Sequence, residues 1–243
     1  MCKKRFFLLS LLACLCFVLQ GCSGAKDKLV VATHAEFPPY EYKDGNEFKG
    51  IDIEIAKLIS EKMDKELEVL DIEFASIIPA IVNGKADIAL AGFTVTEDRK
   101  KSINFSDSYL KSTQNILVKE DSDIKKITDL KNKKIGVQSG TTADIYCTND
   151  FGDGNIERFN KYIDAVEALK NKKIDAVVLD NEPAKVFIKE NNEIVMLDDV
   201  YCEEEYAAVI NKDNKDLLEQ INNILSEIKS SGELDKIVKK YIK

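Results

Sequence analysis

The stretch NGKADIALAG at residues 83–92 lines up without a gap on NKKIDAVVLD at residues 171–180. Each copy reads as the end of a helix, a polar turn and a short apolar strand, so one plan is written twice in the chain. Upstream of the first copy, residues 77–83 predict a helix stopped by Gly84 in the position just past its end, where a left-handed backbone is needed. Further out, KLVVATHA at residues 28–35 reads as a buried strand running into a polar loop. A helix is expected over residues 52–63, with Ile55, Leu58, Ile59 and Met63 on one face, followed by a β-rich stretch at 67–74 and a strand at 87–91. The second half repeats this order. KKIGVQSG at 133–140 is again strand then polar loop, a helix at 164–170 follows, and a strand spans 175–179. Strands alternating with helices at this pitch imply parallel sheets covered on both faces, and two such units imply two α/β lobes. Two amphipathic helices at 215–229 and 233–240, separated by Gly232, finish the chain. Ligands of open α/β sheets bind beyond the carboxyl ends of the strands, which nominates His34, Gly92, Gln138 and Asp180.

Composition narrows the function. The chain has 243 residues, 44% of them hydrophobic and 32% charged, with 43 acidic against 35 basic side chains and a formal net charge of −8. These values describe a globular protein with a sizeable core and no concentrated basic surface for nucleic acid. A single histidine leaves no Ser-His-Asp set and no pair of imidazoles for zinc. Phosphate-binding GxxxxGK[ST], dinucleotide-binding GxGxxG and metalloprotease HExxH motifs are all absent, so neither a cofactor nor a metal is expected.

Lys3, Lys4 and Arg5 precede a 14-residue apolar run at 6–19, too short to cross a bilayer core of about 30 Å and typical of a secretory signal. The run closes on Leu19-Gln20-Gly21-Cys22, which resembles a bacterial lipobox. Cys22 is then the expected lipidated N-terminus and the tether to the outer face of the membrane. Cys14 is a competing site that leaves an apolar run of only about eight residues, and cleavage without lipidation is the plain alternative. Loss of residues 1–21, with three bases and no acid, takes the net charge from −8 to −11. Cys147 and Cys202 then remain outside the cell, either joined in a disulfide or buried as two free thiols.

The chemistry concentrates in two loops. After Gly92 comes FTVTEDRKK, where Thr94 and Arg99 follow a backbone that a ligand can approach closely. Arginine suits a carboxylate because its planar fork donates two parallel charge-assisted hydrogen bonds. In the other half, Ser139-Gly140-Thr141-Thr142 lead into a helix expected from Ala143, and free N–H groups at a helix start also favour an anion. Asp180, at the end of an apolar strand, is the natural partner of an ammonium. Holders for a carboxylate and an ammonium on two facing lobes describe a zwitterion, a free amino acid, with Phe37, Tyr40 and Phe74 as candidate walls. Each residue has a duller reading. Arg99 in a charged run reads as solvated, Asp180 as a cap, the phenylalanines as core, and His34 as a loop residue bonded to backbone.

Taken together, the segments ATHAEFPPYEY (32–42), GIDIEI (50–55), IIPAI (77–81), GFTVTEDRKK (92–101), INFSDSY (103–109), VQSGTT (137–142), DAVVLDNEPA (175–184) and GELDKIVKKYI (232–242) are similar, in order, to those of the bacterial extracellular solute-binding proteins of the polar amino acid type. That resemblance implies a periplasmic-binding-protein-like α/β fold with a two-segment hinge. Residues 1–21 would be the signal, 22–27 a tether, 28–110 with 207–243 one lobe and 111–206 the other. Arg99 and Thr94 would hold the α-carboxylate with the Thr142 N–H beside Thr141, the Gly92 carbonyl and Asp180 the α-ammonium, and Phe37 and Phe74 the side chain. The implied protein is a monomeric, lipid-anchored binding protein that hands a free L-amino acid to an ABC transporter permease and performs no reaction. Dehydratases and sensory lobes built on the same fold are the rival readings. Ser60 departs from the helix signature, where a small apolar residue is usual, and departures at His34 and Gln138 leave ligand identity open, with a polar or sulfur-containing side chain favoured over a large aliphatic one.

Overall fold

The computed structural model describes residues 27–242. The signal-like run and Cys22 lie outside these described residues. Strands are β1 (Lys28–Thr33), β2 (Glu36–Phe37), β3 (Glu41–Asp44), β4 (Glu47–Lys49), β5 (Glu66–Asp71), β6 (Ile88–Ala89), β7 (Ile103–Phe105), β8 (Leu110–Lys119), β9 (Ile135–Gln138), β10 (Ile156–Phe159), β11 (Ala176–Asp180), β12 (Ile194–Tyr206) and β13 (Val209–Asn211). Helices are α1 (Ile51–Lys62), α2 (Ile77–Val82), α3 (Glu97–Lys100), α4 (Thr142–Phe151), α5 (Tyr162–Lys170), α6 (Asn181–Glu190), α7 (Lys215–Ser230) and α8 (Glu233–Tyr241).

Two five-stranded sheets, ordered β5-β1-β6-β13-β7 and β10-β9-β11-β8-β12, form two lobes of one topology. In the first, β5, β1 and β6 are parallel and β13 runs against both β6 and β7. In the second, β10, β9 and β11 are parallel and β8 runs against both β11 and β12. Four strands of each sheet therefore share a direction, and the reversed one enters from the other lobe. β8 and β12 pair along most of their length up to Leu110 opposite Tyr206. Tyr109 N–H to the Tyr206 carbonyl and Ser106 N–H to the Ala208 carbonyl, each 2.9 Å, then carry the pairing into the first sheet. The two crossings thus run side by side.

The repeat in the sequence is a repeat of hydrogen bonds. Gly84 and Lys172 occupy the same place after α2 and α5, and both have left-handed φ, 68° and 55°. Lys85 N–H reaches the Ala80 carbonyl at 2.9 Å, and Lys173 N–H the Ala168 carbonyl at 2.9 Å. Asp87 and Asp175 then bind the neighbouring strand through both backbone and side chain. Their carboxylates accept the Val30 and Lys134 N–H groups, each at 2.8 Å. The strands that follow are the buried β6 and β11, so each turn delivers its strand end to the same side of its sheet. Strand β6 spans only Ile88–Ala89 of the expected 87–91, and Leu90 N–H still reaches the Ala32 carbonyl of β1 at 3.1 Å before the chain turns to Gly92.

Helix α1 starts without a side-chain cap. Its first N–H groups bond instead to backbone: Ile51 to the Pro39 carbonyl at 3.1 Å and Asp52 to the Tyr40 carbonyl at 2.9 Å. That docking brings residue 50 against the 39–41 loop, and Gly50 has φ 122°, where a Cβ would overlap the Tyr40 carbonyl. Gly50→Ala is expected to cost about 3 kcal/mol or more, from strain and displaced backbone. A melting temperature lowered by about 10 °C is the expected reading for a chain of this size; a fall under 3 °C would show that the loop moves aside cheaply.

Candidate functional site

Strand ends from both sheets converge on one cleft. Ten of the residues nominated from the sequence line it, His34, Phe37, Phe74, Gly92, Thr94, Arg99, Gln138, Thr141, Thr142 and Asp180, whereas Tyr40, named as a candidate wall, does not. Glu41, Gln114, Tyr162 and Glu204 line it as well and were not nominated.

Arg99 is not a solvated surface residue. It sits in α3, whose start is capped by Thr96 accepting the Arg99 N–H, and is only 6% exposed. Its Nη1 donates to the Thr94 carbonyl at 2.8 Å and its Nη2 to the Gly140 carbonyl of the other lobe at 3.0 Å. The guanidinium lies over Phe93 at 4.9 Å and Phe74 at 5.8 Å, and these two rings stack at 4.5 Å. Phe74 is thus floor for the arginine as much as wall of the cleft. Burial lowers the Arg99 pKa to about 10, with Glu204 acting against the shift, and the group stays charged at neutral pH. Thr142 opens α4, one residue earlier than expected, with Thr141 at the cap position accepting the Asp144 N–H at 3.3 Å.

Asp180 holds the cap position of α6 but caps nothing with its side chain. Its Oδ1 accepts instead from Tyr206 OH and from Ser112 Oγ, the latter at 3.1 Å. Burial first, then the charge of Glu204, pushes its carboxyl well above the usual carboxylate range. Glu41, 1% exposed, is also pushed well up, by burial and then by Asp52 and Asp180. Beneath the cleft floor Asp52 accepts from Gly92 N–H at 2.8 Å and Tyr109 OH at 2.7 Å, which holds Gly92 in its left-handed conformation with φ 54°. Burial raises Asp52 to about 6 against those two donors.

Phe37 stacks on Tyr162 across the cleft at 5.7 Å and contacts Tyr40 at 5.6 Å. Tyr40 itself is buried core behind it. His34 Nδ1 is bonded to the Ile72 carbonyl at 3.0 Å, as the duller reading holds, yet its Nε2 is buried without a protein partner. Gln138 Nε2 donates to the Asn160 carbonyl at 2.7 Å, which ties the loop after β10 to the end of β9. Cys147 and Cys202 are free thiols. Cys147 lies in the apolar cluster of the second lobe, where burial pushes its thiol up to about 12.

Glu41 and Glu204 escape a sequence reading because acidic residues in PPYEY and CEEEY read as solvated. The signal for Glu204 was the strand period: Glu203 and Glu205 face out on β12 and Glu204 faces in. Among the described residues, no group of acidic, His or Cys side chains is arranged to hold a metal, and no helix is long and apolar enough to cross a membrane.

Two lobes of one topology, joined by a double crossing and closed on a cleft that carries a buried guanidinium opposite buried carboxylates, define a two-lobed solute-binding protein. Residues 29–243 match the model of the bacterial extracellular solute-binding proteins, family 3, and the chain belongs to that family. It is 33% identical to the arginine-binding extracellular protein ArtP of Bacillus subtilis, over 98% of each chain. It is 31% identical to the ABC transporter arginine-binding protein 1 of Escherichia coli, over 96% of this chain and 97% of the relative. Among solved structures, an ancestral arginine-binding protein bound to glutamine superposes with a TM-score of 0.84 at 38% identity, covering 89% of this chain and 98% of the other.

Proposed function

We propose that this protein is the extracytoplasmic, lipid-anchored receptor of an ABC importer for an L-amino acid with a cationic side chain, arginine first. The observation that carries the reading is the charge inventory of the cleft: Asp180, Glu204 and Glu41 line it and Arg99 is the cation among its lining residues. Glu41 Oε2 and Glu204 Oε2 are buried with no partner in the protein. Buried, unpaired carboxylate oxygens are costly, so the cleft favours a guest that brings positive charge. An arginine brings two cations and one anion.

In this reading Arg99, Thr94 and the start of α4 take the α-carboxylate, Asp180 and the Gly92 carbonyl the α-ammonium, and Glu41 the cationic end between Phe37, Phe74 and Tyr162. The lobes are residues 28–110 with 207–243 and residues 111–206, hinged at the double crossing. A ligand touching both stabilises the closed arrangement that a permease would read. The protein binds and releases without a chemical step, as a monomer tethered through Cys22.

Refolded protein, freed of carried-over ligand, is to be melted against the twenty L-amino acids and L-ornithine. Binding to the native state alone adds about 2.7 kcal/mol at a concentration 100 times Kd. Arginine, lysine, ornithine or histidine are expected to give the largest rises in melting temperature. Stabilisation only by neutral or acidic amino acids would overturn the cationic assignment, and no stabilisation by any of them would overturn the amino-acid reading itself.

A further inference from the structure

With Arg99 given to the α-carboxylate, Asp180 to the α-ammonium and Glu41 to the side chain, Glu204 is a buried anion with no ligand group assigned to it. Its position is built. It lies on β12 close to the crossing, is 4% exposed, and turns inward while Glu203 and Glu205 face solvent. Its Oε1 accepts from Gln114 Nε2 at 3.2 Å and from Thr142 Oγ1, and Gln114 Nε2 also reaches Thr142 Oγ1 at 2.9 Å. This triangle, drawn from β8, β12 and α4, fixes the plane of the carboxylate and leaves Oε2 buried and unpartnered. A buried carboxylate held on one oxygen and orphaned on the other is costly unless something fills it.

Asp180 is the neighbour that identifies the guest. It lines the same cleft as Glu204, its Oδ1 is taken by Tyr206 and Ser112, and after burial the charge of Glu204 is what it feels most strongly. Two acids so placed repel unless a cation or a proton sits with them. A protonated α-amine has three N–H donors, and the Gly92 carbonyl and Asp180 use two. We propose that Glu204 supplies the third acceptor, so that Asp180 and Glu204 together seat the α-ammonium and make the cleft select for ligands with a free α-amine. The inference rests on the amino-acid reading of the cleft. The charge of Glu204 is also the one that acts most strongly on Arg99, so Glu204 bears on both ends of the zwitterion.

The test separates the amine from everything else in the ligand. The full chain and Glu204→Gln are titrated calorimetrically with L-arginine and with 5-guanidinopentanoate, which is arginine without its α-amine. Glu204→Gln keeps the hydrogen bonds from Gln114 and Thr142 within reach but removes the charge. Arginine is expected to bind about tenfold more weakly to the variant, while 5-guanidinopentanoate binds within twofold of its wild-type affinity. Equal weakening of both ligands would assign Glu204 to the packing of Gln114 and Thr142 and overturn the proposal, as would no weakening of either. If the wild type binds neither ligand, the amino-acid reading fails and takes this inference with it. Should Glu204→Gln fail to fold, Glu204→Asp retracts the oxygen by one methylene with the charge kept, and the same split between the two ligands is expected.

Discussion

Arg99→Ala protein is expected to lose its amino acid affinity by between about 30-fold and several thousand-fold, the range that follows from 2–5 kcal/mol for truncating one partner of a buried charge pair. The guanidinium lies over Phe93 and Phe74 of its own lobe and donates to the Thr94 carbonyl there, so much of its orientation is set before any ligand arrives, and closure adds the Gly140 carbonyl of the other lobe. Little side-chain entropy is left to lose on binding, and the burial that lowers its pKa also removes the water that would screen it. Arg99→Lys separates charge from shape. An ammonium is a point charge and cannot span both carbonyls and a carboxylate, so it is expected to recover only a minor part of the loss. The Arg99→Ala protein will also melt lower, because two carbonyls lose their donor, and the titration must be made below its melting point. Affinity within threefold of wild type in a folded Arg99→Ala protein would remove Arg99 from the site.

How much of this was legible before the structure follows from where each residue gets its environment. The duplicated turn was readable because it is local: Asn83 and Asn171, Gly84 and Lys172, Asp87 and Asp175 act within a few residues or on the strand next door. Lys172 hides the left-handed position that Gly84 advertises, yet the frame around it was enough. Arg99 and Asp180 were legible because each interrupts a pattern, one after a glycine turn and one at the end of an apolar strand. Glu41, Gln114 and Tyr162 were not, since what buries them comes from the other lobe or from the crossing strands, and Glu204 offered only the in-and-out alternation of β12 inside an acidic run that reads as solvated. The free thiols belong to the same class: Cys147 is packed against Ile135, Val137 and Ala176 of its own lobe, a tertiary fact that spacing does not contain.

The empty cleft differs from the filled one by protons as well as by ligand, and Glu41 makes the difference measurable. Burial first, then the charges of Asp52 and Asp180, raise its carboxyl well above the usual carboxylate range, so the empty cleft favours its protonated form. A guanidinium or ammonium at Glu41 reverses this, because an adjacent cation favours the carboxylate, and the proton leaves as the ligand enters. The sign follows directly. A group protonated in the empty protein and ionised in the complex makes binding tighter as pH rises, by up to tenfold per unit for one proton released, until pH passes the empty-state pKa. Asp180 contributes the same sign for any ligand with an α-ammonium, so arginine must be compared with glutamine, whose neutral side chain leaves Glu41 protonated. At pH values above the ordinary carboxylate range, arginine affinity is expected to climb more steeply with pH than glutamine affinity, by up to one proton's worth. In Glu41→Gln protein that excess slope should vanish, arginine should bind at least 30-fold more weakly at pH 8, from the loss of a buried charge partner worth 2 kcal/mol or more, and glutamine affinity should stay within threefold. Parallel slopes for the two ligands in the wild type, or an arginine affinity indifferent to Glu41→Gln, would place the cationic end of the ligand elsewhere in the cleft.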